Sequence, residues 1–578
     1  MGQGWGCVRG RGLFLIHAMR LCLRLIVCAH LLLPGLGLQA AALRPPKHGA
    51  VTTVHPLATE AAEAICRQGG NAVDAAVAAG LTLGIVDGSN SGIGGGCFIL
   101  ISAPDGKLAL VDGRETAPAA ASRDMFLRDG KPDPAASQKG GLAVGVPGAF
   151  AAYEWACRRF GRVPFRIHLG NAAAIAKKGF PIPQAYAERL AQSASDLAAD
   201  PGARAIFLHP DGTPLKAGEL LVQHDLAASY IAGSERELDW FYRGDFASKV
   251  AGWMKGHGGL LTTNDFASYQ LKFREPVRSS YRGHDLIGFS PPSSGGVHVA
   301  QILNILESFD LRSMGRDSAD FIHVVAEAMR LAFADRAYWL GDPDFTHVPR
   351  GLVDTNYAAS LAARIHRDRV TPVEGHGVPP EAGEDWYGKH TTHFCTVDSI
   401  GNWVSCTATI NTTFGAKVVV PGTGVLLNNE MDDFSAAPGT ANAFGLVGGE
   451  ANAVAPGKRP LSSMSPTLVY HHQRPIMAVG AAGGPTIISQ TVLAIIGVVD
   501  FGMPVADAVA AARFHHQWRP DQLTVEKKVG EGVVRDLEKR GHKVVVVDSI
   551  GACQAVGIAP GQFQAVADPR LEGKAVTW

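Results

Sequence analysis

The sequence predicts a mixed α+β protein in which sheets and helices stack in layers. Helix-rich and strand-rich blocks follow one another along the chain, a succession that suits layered sheet-and-helix architecture. The composition is that of a globular protein, 46% apolar and 18% charged, and no internal repeat is visible. At 578 residues the chain could hold two or three conventional domains, or one large layered fold with insertions. Its 68 glycines imply many tight turns and close backbone approaches.

Taken in order, the first forty residues read as a leader. Arg20 and Arg24 precede an apolar run, 25–36, broken by His30 and Pro34, and Gln39-Ala40-Ala41-Ala42 suits signal-peptidase cleavage. The run falls short of the roughly 20 apolar residues of a membrane span. Export to the periplasm or the medium is therefore expected ahead of a retained anchor, and Met19 is an alternative start. A helix over 56–68 stops at Gly69-Gly70. Asn71 caps a second helix, 72–83, whose small apolar residues run round most of its circumference and predict burial. Glycines 92 and 94–96 precede strands at 97–102 and up to Asp112.

From about 147 to 369 the pattern is mainly helical, as at 150–159, 169–178 and 318–338. Residues 374–390 are rich in glycine, proline and acid, the composition of an exposed, mobile stretch. Strand signals then take over at 392–397, 403–410, 424–427, 467–470 and 476–479. Helices are predicted at 486–499 and 504–513, then a strand at 523–526, a helix at 533–540 and a strand at 543–547.

Lys+Arg and Asp+Glu both number 53, a balance that favours neither nucleic acid nor an anionic membrane as partner. Six cysteines lie beyond the leader without CxxC spacing, too sparse for a disulfide scaffold. Cys395 and Cys406 could face each other across a hairpin. A turn at 398–401 would pair 397 with 402 and return Thr409 beside residue 390.

The junction His390-Thr391-Thr392-His393 joins the mobile stretch to a strand. There the Thr391 hydroxyl could attack the His390 carbonyl, exchange amide for ester, and be freed by water. Its new α-amine, of reference pKa near ~8, could then serve as base for its own hydroxyl. Composition alone leaves these as ordinary strand threonines.

The surrounding text changes that balance. Thr391 to Phe394, Asn411-Thr412-Thr413-Phe414-Gly415, Leu427 to Phe434 and Lys458 to Thr467 stand in the order of the γ-glutamyltranspeptidase family, which the chain resembles from about His48 to near its end. Gly69 to Ala75, Ser91 to Gly96, Asp112 to Glu115 and Arg513 to Trp518 also fit. The resemblance implies the four-layer αββα sandwich of N-terminal-nucleophile hydrolases. It implies cleavage into a large subunit, 41–390, and a small one, 391–578, which pair as a heterodimer. Thr391 would be the nucleophile, with Thr409 hydrogen-bonded to it. Arg114 would bind the glutamyl α-carboxylate through its two parallel donors, joined by Ser462 and Ser463. Asn411, Glu430 and Asp433 would receive the α-ammonium, and Gly483 and Gly484 would stabilise the oxyanion. Substrates would be glutathione and other γ-glutamyl compounds, with water, amino acids or dipeptides as acceptors and no cofactor or metal.

Cys395 stands where many relatives have serine. Residues 438–449 resemble a lid over the pocket, and Phe444 stands where some relatives carry tyrosine, so the lid is expected to close by packing alone. Other readings remain beside these. Arg114 could be a surface arginine paired with Glu115, and Asp432-Asp433 a solvated loop. Gly92 to Gly96 lacks the third glycine and preceding strand of a dinucleotide loop and reads as a pocket wall. Gly483-Gly484 lacks the lysine of a phosphate loop. The pairs His471-His472 and His515-His516 suit structural roles better than metal ligation. A β-lactam side-chain acylase and an exported amino-acid-binding protein are the competing functions.

Overall fold

Two antiparallel sheets form the centre of the computed structural model, which describes residues 1–2, 48–381, 392–437, 439–448, 450–559 and 561–578. The leader, Thr391 and the 382–390 stretch lie outside the described residues. Contacts divide the chain into Met1–Arg44 and Pro45–Trp578, and both sheets belong to the second unit.

The strands of the two sheets in chain order are β1 (Ala50–Thr53), β2 (Gly96–Ser102), β3 (Leu108–Gly113), β4 (Lys272–Phe273), β5 (Val277–Tyr281), β6 (His284–Gly288), β7 (Thr392–Val397), β8 (Trp403–Thr409), β9 (Thr467–His471), β10 (Arg474–Ala482), β11 (Ala552–Ala559), β12 (Gln562–Val566) and β13 (Lys574–Thr577). The first sheet runs β13-β1-β7-β8-β2-β3-β4 and the second β12-β11-β10-β9-β6-β5.

Alternation along β7 shows how the layers form. Phe394 points into an apolar cluster shared with Val73 and Val77 of helix α1 (Ala72–Val86) and with Phe150 and Tyr153 of helix α2 (Ala149–Phe160). Cys395 and Val397 point the other way, into a cluster with Leu468, Ala478 and Val556 of the second sheet. The far face of that sheet, through Val469, Met477 and Ala555, meets helices α3 (Gly295–Leu306), α4 (Ala319–Trp339) and α5 (Thr486–Val499). Helix, sheet, sheet and helix therefore bury three apolar interfaces, each using one face of a period-2 strand.

Local signals explain the elements. Asn71 and Asp74 form a reciprocal capping box on α1, and every residue of that helix except Gly84 is buried. Ser318 caps α4 through Phe321 N.

Several expectations need correction. The mainly helical middle contains the β5–β6 hairpin; β5 is an edge strand of alternating half-exposed residues, so no apolar run marks it. Strands β1, β11, β12 and β13 also lie outside the strands expected from sequence. Residues 424–427 form no strand, only an isolated bridge between Val419 and Leu426. The helix predicted at 504–513 is confined to Val505–Ala510. Beyond it Arg513 turns inward to Asp568 at 2.6 Å. The β7–β8 register pairs Val397 with Trp403, one residue later than expected. Asp398 Oδ1 accepts from the amides of Ile400, Gly401 and Asn402, which draws Asn402 into the turn. Cys395 consequently faces Ser405 and Cys406 faces Phe394, and both cysteines are free.

Candidate active site

Arg114 lies just past the end of β3 and is fully buried, not at the surface. Its guanidinium pairs with Glu430 at 2.5 Å, with Asp433, and more distantly with Glu115 at 3.6 Å. It also donates to the carbonyls of Pro460 and Leu461, both at 3.1 Å, so it touches the segment leading into Ser462. From behind, the Tyr269 hydroxyl donates to the Arg114 carbonyl at 2.9 Å. Burial alone would lower the Arg114 guanidinium, but Glu430, then Asp433 and Glu115, raise it above its ordinary value. The reverse pressure falls on the acids. Burial pushes Glu115 up to about 8 against the pull of Arg114, and raises Glu430 well above the usual carboxylate range.

Asn428 holds the acidic turn in place. Its Oδ1 accepts from Gly145 N and Glu430 N, both at 3.0 Å, and its Nδ2 donates to the Gly94 and Gly145 carbonyls. The glycine run before β2 is the wall behind this turn. A Cβ at Gly95 would sit 1.9 Å from the Thr409 carbonyl, one at Gly94 2.2 Å from that of Leu426, and one at Gly96 2.4 Å from Glu115 Oε2. Glycine is required there by closeness, not by a bound phosphate.

Thr409 ends β8, one step beyond the Thr392–Ala408 pair. Its hydroxyl oxygen accepts from Asn411 N at 2.8 Å, leaving the hydroxyl hydrogen available to donate. Asn411 has a positive φ of 72° and anchors its Nδ2 on the Asn429 carbonyl at 2.9 Å. Its buried Oδ1 has no hydrogen-bond partner among the described residues. Gly483 and Gly484 follow β10 beyond its last rung, Ala482 with Ala552, and precede α5; both have positive φ, 125° and 62°. Amides in this position lie outside the ladder and at a helix N-terminus, where negative charge is favoured. Thr392 and Ala482, neighbours of Thr391 and Gly483, line one open cleft of about 730 Å³.

Ser462 and Ser463 are buried. Their segment is clamped by Ser462 N on the Pro292 carbonyl at 2.7 Å and Ser294 N on the Ser462 carbonyl at 2.6 Å. Residues 439–448, the described part of the segment expected as a lid, are held by more than packing. Ala443 N donates to Asp432 Oδ2 and Gln517 Nε2 to the Phe444 carbonyl, each at 3.3 Å. Gln517 is itself tied through His515 to Ser489 of α5.

The structure thus brings Arg114, Glu430 and Asp433 into direct contact and sets Thr409 beside Asn411. Sequence reasoning missed Ser294, Gln517 and Arg336, which bonds to Ser294 and Ser463. The available signal for Arg336 was a charge inside a helix that reads as buried. Among the described residues one trio, Asp74, Cys157 and His168, has ligand atoms close enough to share an ion. There Asp74 already accepts from the amides of Asn71, Arg162 and Val163, so the group closes a loop.

The family model for gamma-glutamyltranspeptidase matches residues 58–578. The glutathione hydrolase proenzyme of Escherichia coli (strain K12) is 42% identical over 528 residues, covering 91% of this chain and 90% of that protein. Cephalosporin acylase from Bacillus halodurans superposes with a TM-score of 0.82 at 28% identity, over 92% of this chain and 96% of that one. The gamma-glutamyltranspeptidase of Helicobacter pylori gives 0.54 at 39% identity, over 55% and 92%. With its matched sequence and its two stacked sheets, the chain belongs to the gamma-glutamyltranspeptidase family.

Proposed function

We propose that this chain cuts itself between His390 and Thr391 and then uses Thr391 to hydrolyse or transfer γ-glutamyl groups, glutathione being the model substrate. The observation that carries the reading is the buried Arg114–Glu430–Asp433 cluster beside Ser462. Its charges are the mirror of an α-amino acid. An incoming glutamyl group can exchange its carboxylate for the acids on Arg114 and its ammonium for Arg114 on the acids, so charge stays paired throughout. The Asn411 Oδ1 supplies a further acceptor for the ammonium.

The Thr391 α-amine takes the proton of its own hydroxyl as Oγ attacks the γ-carbonyl carbon. The resulting oxyanion is stabilised by the amides of Gly483 and Gly484, and the Thr409 hydroxyl donates to the nucleophile. The carbon–nitrogen bond then breaks, and the leaving amine collects the proton held by the α-amine. Water or an acceptor amine attacks the ester and restores the Thr391 hydroxyl. The cleft at Thr392 and Ala482 offers the leaving group and acceptor a route.

Subunits 41–390 and 391–578 stay paired after the cut because both contribute strands to each sheet: β7 and β8 sit between β1 and β2 in the first, and β9 adjoins β6 in the second. The reading includes export by the leader; among the described residues no helix is long and apolar enough to cross a membrane. The likeness to a cephalosporin acylase makes glutaryl transfer the second reading. Rates with γ-glutamyl and glutaryl anilides separate the two. A clear preference for γ-glutamyl is expected, since glutaryl leaves Glu430 and Asp433 without an ammonium; equal or faster glutaryl release overturns the proposal.

A further inference from the structure

Among the described residues, Arg114 and Arg336 head the largest fully buried side chains. Arg114 reaches the 460–463 segment from the first sheet. Arg336 reaches the same segment from α4, on the helical layer behind the second sheet. Two of its contacts are hydroxyls: Nε donates to Ser294 Oγ at 2.7 Å and Nη2 to Ser463 Oγ at 2.8 Å.

Hydrogen accounting gives these contacts a consequence. A serine hydroxyl has one hydrogen and two acceptor sites. Ser294 commits its hydrogen to the Ser462 carbonyl at 2.8 Å. It therefore cannot also donate to Ser463, whose Oγ lies 3.3 Å away, near the limit of a useful hydrogen bond. Ser463 Oγ accepts from the guanidinium, so its own hydrogen is held as a donor: its neighbour Ser294 Oγ, at 3.3 Å, takes it only through a long bond that an arriving carboxylate can replace. We infer that Arg336 is a positioning residue for the substrate α-carboxylate, holding the Ser463 hydroxyl as a donor rather than an acceptor. A charge-assisted bond to the oxygen also polarises that hydroxyl, strengthening what it donates. A carboxylate arriving at Ser463 finds a donor already oriented and saves the cost of ordering it.

The backbone of this segment has supports besides Arg336. Pro292, Ser294, Arg114 and Asn452, the last accepting from Leu461 N at 3.1 Å, already fix residues 460–462. The inference rests on the proposed role of Ser463 in binding the γ-glutamyl carboxylate, and its test keeps the two apart.

The full chain, self-cleaved, is assayed with γ-glutamyl anilide and with 4-aminobutanoyl anilide, which lacks only the α-carboxylate. Arg336→Met and Ser463→Ala are each expected to raise KM for the γ-glutamyl donor about tenfold, with kcat little changed. Neither should alter kcat/KM for the 4-aminobutanoyl donor, and the double variant should be no worse than Ser463→Ala alone. Arg336→Lys, which keeps a donor and the charge, should recover part of the loss; it also serves as the deciding variant if Arg336→Met does not fold. A normal KM in Ser463→Ala overturns the site reading and the inference with it. A raised KM in Ser463→Ala with Arg336 variants that are normal, or that impair both donors equally, overturns the inference alone.

Discussion

Two buried arginines flank the Ser462–Ser463 segment, and the contacts they make beside it differ in kind. Arg114 faces carboxylates, Glu430 and Asp433, whereas Arg336 faces the hydroxyls of Ser294 and Ser463. Ion pairs between side chains can be traded for equivalent pairs with a zwitterionic ligand, so the first arginine is fitted to exchange partners. The bonds of Arg336 to Ser294 and Ser463 need not be exchanged when a ligand enters, so this arginine is fitted to hold those hydroxyls where they are. The proposed site therefore has an exchangeable side and a fixed side, and this contrast is open to attack by mutation.

The largest effect is expected at the exchangeable side. Arg114→Ala leaves Glu115, Glu430 and Asp433 buried together without their cation. The ligand loses two charge-assisted bonds worth about 1.5–3 kcal/mol each, so KM for γ-glutamyl anilide should rise on the order of 10²–10³-fold, while self-cleavage, followed on denaturing gels, continues. Loss of processing in this variant would mean that Arg114 shapes the whole core rather than the ligand site. Next comes Asp433→Asn, which removes one charge-assisted ammonium contact worth about 1.5–3 kcal/mol. KM for the γ-glutamyl donor should rise about 10–100-fold with little change for the glutaryl donor, so the preference between them narrows.

Legibility in the sequence followed the same division. Arg114, Glu430 and Asp433 stand in short motifs whose order carried the family resemblance, and the structure sets them together. Arg336 lies inside α4, among buried residues such as Phe333 and Ala337, where a one-dimensional pattern does not say whether a charge meets a carboxylate, a hydroxyl or water. The two sheets show a parallel contrast. Strands β7 and β8 were legible because 392–397 alternates and 403–410 is rich in β-branched and small residues. Strand β5 was not, since Val277–Tyr281 alternates around arginine and serines at a sheet edge. The register slipped by one because a single side chain, that of Asp398, captures three successive amides, a local event that hydrophobic periodicity does not record.

A smaller effect concerns the proton held by the acids. Burial puts Glu115 at about 8, against ~4.3 for an exposed glutamate. The folded state thus binds the extra proton between these values. The stability it carries is full below about 4.3 and is lost as pH rises through about 8. Glu115→Gln should flatten the fall in Tm between about pH 5 and 8 without abolishing it, because burial raises Glu430 in the same direction. An unchanged slope would show that the proton resides elsewhere. The smallest effect lies away from both arginines. Gln517→Leu removes the donor to the Phe444 carbonyl and should speed proteolysis within 439–448 about two- to tenfold; unaltered cleavage would show that this bond does not hold the segment.

The catalytic outcomes presuppose that a threonine within the chain becomes a chain end. Mass spectrometry and N-terminal sequencing of the purified protein test that claim most directly. A C-terminal fragment running from Thr391 to Trp578 and beginning Thr-Thr-His is expected, with Thr391→Ala remaining a single uncut chain. An active wild-type protein without that fragment, or a Thr391→Ala chain cut at the same bond, would contradict the account.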